Sequence, residues 1–139
     1  MNRGMYSSLT PEWATPQALF DKLDAEFNFT LDACATSDNA KVVNYYASDS
    51  LEHGWYGTVW CNPPYGREIG RWTHKAWQAA HDGATVVMLV PSRTDTQWWH
   101  KDIMKATEIR FIEGRLKFGD SRNSAPFPSA IVVFRPNHR

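Results

Sequence analysis

Asn62-Pro63-Pro64-Tyr65 places an amide, two rigid ring residues and an aromatic face in one run, just after the strand-like stretch 57–61. Proline holds its own φ near one value and biases the residue before it towards an extended backbone. The Asn62 side-chain oxygen and the Pro63 carbonyl therefore become rigid acceptors for a planar amine, and Tyr65 offers a face on which a flat base can stack. That chemistry suits a transferase acting on an exocyclic amine. The plainer reading is a stiff turn after a strand, with Asn62 capping the next helix.

The motif needs a frame that holds it. Strand-like and helix-like stretches alternate along the chain, the pattern of an α/β domain with a mostly parallel sheet. Thr15-Pro16 reads as N-cap and first helical position, and Leu19, Leu23 and Phe27 then recur every four residues. Phe27 to Leu31 alternates like a strand and ends at Asp32-Ala33-Cys34-Ala35, and Val42 to Ala47 is a short candidate strand. Ile69, Trp72, Ala76 and Ala80 mark one face of a helix that stops at Gly83. Ala84 to Val90 is continuously apolar, as expected of a central strand buried on both faces. Thr94 to Gln97 resembles a capping box for a helix holding Trp98, Trp99 and Ile103, one tryptophan in the core and one exposed. Glu108 to Ile112 and Ser129 to Phe134 are the last predicted strands, and Gly114 to Pro128 between them reads as a long functional loop.

The 139 residues suit a single domain over the whole chain, with 1–10 loose and no separate target-recognition domain. No apolar run approaches a membrane span, and no signal peptide is evident. Cys34 and Cys61 are too far apart for metal-ligand spacing and read as buried thiols in a reducing cytoplasm. The five histidines show no metal spacing either and are expected on solvated faces. Net charge is zero, with 15 basic and 15 acidic residues, which weighs mildly against nucleic acid. Arg110, Arg115, Lys117 and Arg122, followed by Arg135 and Arg139, nevertheless allow a local basic face.

Several motifs then converge: Trp13-x-Thr15-Pro16, Leu31-Asp-Ala-Cys-Ala35, Trp60-Cys-Asn-Pro-Pro-Tyr-Gly66, Met88-Leu-Val-Pro91, Gly114-Arg-Leu-Lys-Phe118 and Pro126-Phe-Pro-Ser129. In this order they resemble the small phage-type DNA adenine-N6 methyltransferases, enzymes that use S-adenosylmethionine, and the resemblance runs roughly from Pro11 to Phe134. It implies a compact Rossmann-like class I methyltransferase sheet, mostly parallel with a terminal antiparallel strand, and ligands at the carboxyl ends of the strands. It also implies a cytoplasmic protein, encoded by a phage or prophage in a bacterial host. One departure is that Asp32-Ala-Cys-Ala-Thr-Ser lacks the Gly-rich turn usual after the first strand.

The resemblance implies that Asn62, Pro63, Pro64 and Tyr65 are catalytic and that DNA is the partner, with the target adenine extruded from the duplex onto Tyr65. Trp13, Thr15, Pro16, Asp32, Ala33 and Cys34 would hold the cofactor. Asp32 would accept from its ammonium or order the loop around it. Asp38 or Asp49 would take its ribose hydroxyls or adenine amine, with Asp49 preferred. Arg67, Arg93, Arg115 and Lys117 are the leading phosphate contacts, with Arg71 and Arg122 behind them. Cys61 precedes Asn62 on a strand and so points away from it, a core thiol rather than a nucleophile. Other acceptors fit the same motif: cytosine N4, RNA, or a protein glutamine. A non-catalytic DNA-binding relic of the fold is the alternative of another class.

Overall fold

The computed structural model describes residues 14–118 and 124–136. The expectations for Trp13, Arg122, Arg139, His138 and residues 1–10 lie outside them. In chain order the elements are α1 (Gln17–Phe27), β1 (Leu31–Asp32), β2 (Thr58–Cys61), α2 (Ile69–His81), β3 (Thr85–Pro91), α3 (Gln97–Lys101), β4 (Glu108–Phe111) and β5 (Ser129–Phe134), with 3-10 turns at Ser50–Glu52 and Ile103–Lys105.

The five strands form one sheet in the order β1-β2-β3-β5-β4. β1, β2 and β3 run parallel, and β5 is antiparallel to both of its neighbours. The last strand of the chain is thus the antiparallel one, inserted between β3 and β4 rather than added at an edge. Side chains alternate across the sheet as the period of two requires. Val59, Cys61, Val86, Met88, Val90 and Val132 pack towards α2 and Trp99. Trp60, Val87, Leu89, Ile131 and Val133 pack towards Phe20 and Leu23 of α1. β3 is therefore covered on both faces, which explains its uninterrupted apolar run.

Local details depart from the sequence expectations. Phe27 to Leu31 is not a strand: the helical spacing carries α1 to Phe27, and Asn28 stops it in a left-handed conformation (φ 58°). Only Leu31 and Asp32 remain for β1. Val42 to Ala47 contributes a single bridge, Tyr45 beside Asp32, although the backbone bonds Tyr46 N–H to Asp32 O and Ala35 N–H to Tyr46 O tie it to the sheet. The cap of α3 lies two residues later than the capping-box reading: Thr96 is the N-cap and accepts from Trp99 N–H, while the Thr94 carbonyl meets the His100 ring. That helix ends at Lys101, and Ile103 belongs to the 3-10 turn after it. Trp99 is buried and Trp98 half-buried. Among the described residues no helix is long and apolar enough to cross a membrane.

Candidate active site

Parallel β1, β2 and β3 bring their carboxyl ends to one edge, where the chain continues as Ala33-Cys34, Asn62-Pro63-Pro64 and Ser92-Arg93. Alternation along β2 turns Cys61 to the α2 side. Asn62 points to the opposite side, where its Nδ2 donates to Thr15 Oγ1 at 3.1 Å. Both side chains are buried, and the bond joins residues 47 apart in the chain. Burial pushes the Cys61 thiol well up, so it carries no thiolate to act as a nucleophile.

Asp32 ends β1 and is 2 % exposed. Its Oδ1 accepts Cys34 N–H at 3.2 Å and its Oδ2 accepts Lys41 N–H at 3.0 Å, so the carboxylate orders the loop that replaces a Gly-rich turn. Desolvation raises its pKa to about 6, against the lowering effect of those two N–H groups. The charged form is thus costly where it stands, and a cation arriving beside it would relieve that cost. Ala33 is fully buried, its N–H bonded to Trp60 O.

A cavity of about 220 Å³ opens at this edge, bounded by Cys34, Tyr46, Asp49, Pro64, Arg71 and Trp72 among others. It unites a strand-end residue, a motif proline and the preferred aspartate, and it leaves Asp38, an exposed turn residue, out of the site. Asp49 is exposed with φ 56°, at the entry to the 3-10 turn. Two larger clefts, about 560 and 450 Å³, open at the other end of the sheet, lined by Gly57 and Ala84 in one and by Thr107 and Phe134 in the other. Neither is lined by Asn62 or its motif neighbours.

Tyr65 is half-buried, and its hydroxyl donates to Leu89 O at 3.2 Å. Its ring meets Phe118 and Phe127 edge-on, with centroids 6.2 and 5.6 Å away. Phe127 in turn lies under the Arg93 guanidinium, 5.5 Å from its carbon. Both phenylalanines fall within the family-like motifs at 114–118 and 126–129, but the sequence gives neither a place in the site, because the segment between them is polar and without periodicity. Two buried hydroxyls at the same edge, Ser92 and Ser129, have no hydrogen-bond partner among the described residues.

The charged residues divide by place. Arg67, Arg93, Arg115 and Lys117 are exposed around the carboxyl edge. Arg71 borders the small cavity and pairs with Glu68 at 3.2 Å. Arg110 and Arg135, counted towards a basic face, are instead engaged by carboxylates. Arg110 binds Glu26 and Glu108 at 2.6 Å each, and Arg135 binds Glu108 at 3.2 Å. His74 is no solvated bystander either: its Nδ1 lies 3.1 Å from buried Asp102. Among the described residues no group of His, Cys, Asp or Glu could hold a metal ion.

Residues 5–138 match the family model described as DNA N-6-adenine-methyltransferase (Dam). The chain belongs to that family. A relative from Haemophilus phage HP1, named DNA N-6-adenine-methyltransferase, is 32 % identical over 135 residues, covering 89 % of this chain and 78 % of the relative. The family match spans nearly the whole chain, the carboxyl-edge residues described above among the rest.

Proposed function

We propose that this protein transfers a methyl group from S-adenosylmethionine to the N6 amine of an adenine swung out of duplex DNA. The observation that carries this reading is the placement, at one strand edge, of the Asn62 amide and the buried Asp32 carboxylate, each two residues from a wall of the cavity lined by Cys34, Asp49 and Pro64. Ligands of open α/β sheets bind outside the carboxyl ends of the strands. On this reading the sheet is a small Rossmann-like class I methyltransferase sheet.

The residues suit the cofactor. The Asp32 carboxylate would take its ammonium, and Asp49 would take hydroxyls or an amine of the nucleoside part, with Cys34 and Pro64 as walls. Thr15 and Pro16 stand close by, at the start of α1. The bound cofactor supplies an electrophilic methyl on a sulfonium. The protein has to prepare the nucleophile, because the adenine amine's lone pair is delocalised into the ring. N–H bonds to Asn62 Oδ1 and Pro63 O draw that nitrogen towards tetrahedral geometry and aim its lone pair. No covalent intermediate with the enzyme is needed. The methyl's bond to sulfur would break as its bond to nitrogen forms, a neutral thioether would leave, and the surplus N–H proton would pass to water. Positioning and electrostatics therefore provide the rate. Tyr65, backed by Phe118 and Phe127, would receive the base; stacking of this kind is worth roughly 1–3 kcal/mol per base.

Arg93 is expected to hold a DNA phosphate near the entering base. It is exposed at the edge, rests on Phe127 and has no carboxylate partner among the described residues. Arg93→Gln should weaken DNA binding similarly for all sequences and reduce the slope of log K against log salt by about 1. An unchanged slope in a fluorescence-anisotropy titration would remove Arg93 from the interface.

Asp32 sets the pH dependence. Its folded pKa of about 6 lies above its usual 3.8, so the folded chain holds that proton more tightly than the unfolded chain. Its contribution to stability therefore falls as pH rises from about 4 to about 6 and is constant above, a change on the order of 3 kcal/mol at about 1.4 kcal/mol per unit. Denaturant melts of wild type and Asp32→Asn should show that difference opening between pH 4 and 6. Cofactor affinity runs the opposite way, since the ammonium needs the ionised carboxylate. Calorimetric titration with S-adenosylmethionine should show binding at pH 7.5 that weakens below about pH 6 and drops at least tenfold in Asp32→Asn. A folded protein that gives no binding at pH 7.5 would sink the proposal.

A further inference from the structure

Thr15 precedes a proline at the start of a helix, where threonine usually caps. It does not cap α1: the N-cap position is Pro16, and no side-chain bond closes that end of the helix. The Thr15 hydroxyl instead accepts from Asn62 Nδ2 at 3.1 Å, with the two side chains 5 % and 4 % exposed.

An asparagine amide is nearly symmetric in shape and opposite in chemistry at its two ends. Turned one way, Asn62 presents an oxygen to the incoming amine. Turned the other way it presents N–H groups to another N–H donor, and the bond that prepares the nucleophile is lost. The Thr15 hydroxyl accepts from Nδ2 here, the bond of the first orientation. Because a hydroxyl could also donate to the oxygen in the second, the bond anchors the amide and the N–H groups of the incoming amine select the end they meet. Thr15 is a stiff anchor for this: its β-branch restricts χ1, and Pro16 confines its backbone to an extended conformation. We propose that Thr15 is the positioning residue for Asn62, anchoring the amide through Nδ2 where its oxygen can meet the target amine, in place of the cofactor contact that the sequence resemblance implies for its side chain. The inference rests on Asn62 being the group that takes that amine.

The two roles separate in kinetics. Thr15→Val keeps the shape and removes the hydroxyl, and Thr15→Ser keeps the hydroxyl. Turnover is measured by labelled methyl transfer to DNA at saturating cofactor and DNA, and cofactor affinity by calorimetry. Positioning predicts that Thr15→Val lowers kcat about tenfold with the S-adenosylmethionine Kd unchanged within twofold, and that Thr15→Ser recovers most of the loss. Thr15→Ala should behave as Thr15→Val does and serves if the valine variant does not fold. A weakened Kd with kcat intact at saturation, or no change in either, would overturn the inference. Full transfer by Asn62→Ala would instead show that the underlying reading of the site is wrong.

Discussion

Asn62→Ala should lower methyl transfer about a thousandfold while the protein stays folded and still binds S-adenosylmethionine. The substitution removes the acceptor that draws the amine out of conjugation. Groups of this kind, aimed at charge that develops in a transition state, are each worth about 10²–10³ in kcat. The structural cost is smaller. Asn62 donates to the buried Thr15 hydroxyl, and removing that donor costs about 1–3 kcal/mol. Asn62 lies beyond the end of β2, so no ladder bond depends on its side chain. Turnover should therefore fall far more than the melting temperature does. A variant that loses activity only in proportion to lost folded protein would make Asn62 a structural residue.

Trp60→Ala should produce the largest loss of stability, about 3–5 kcal/mol. Trp60 is 1 % exposed and meets Phe20 and Phe29, each at 5.6 Å between ring centroids. Phe20 belongs to α1, so the indole ties that helix to β2. Trp60 also stands two residues before Asn62, and Ala33 N–H bonds to its carbonyl. The cavity left by the indole would thus loosen the strand ends that carry Asn62 and Asp32, besides weakening the core. For a domain of this size the expected fall in melting temperature is roughly 10–20 °C. A calorimetric scan showing a drop of only a few degrees would mean that the indole contributes far less than its burial indicates.

The legible parts of the sequence were those whose pattern follows from physics that acts locally. Ala84 to Val90 could only be a strand with two covered faces, and it is the central strand β3. The helical spacing of Leu19, Leu23 and Phe27 was correct, and the structure extends it at the expense of the strand expected at Phe27 to Leu31. The motif prolines and the strand before them marked where Asn62 would stand. The partnership of Asn62 with Thr15 was not legible, because it joins residues 47 apart through a side-chain bond that neither local pattern encodes. Nor was the neutralisation of Arg110 by Glu26, which depends on β4 lying near the end of α1. The aromatic backing of Tyr65 was hidden because Phe118 and Phe127 come from either side of a polar, aperiodic segment. The raised pKa of Asp32 reflects burial, which only the fold determines.

The central claim is tested most directly by following labelled methyl from S-adenosylmethionine into unmethylated duplex DNA, with nucleoside analysis of the product and Asn62→Ala beside the wild type. The expected result is N6-methyladenine made by the wild type and reduced about a thousandfold by the substitution. Label in cytosine, RNA or protein with none in adenine, or N6-methyladenine that persists undiminished in Asn62→Ala, would contradict it.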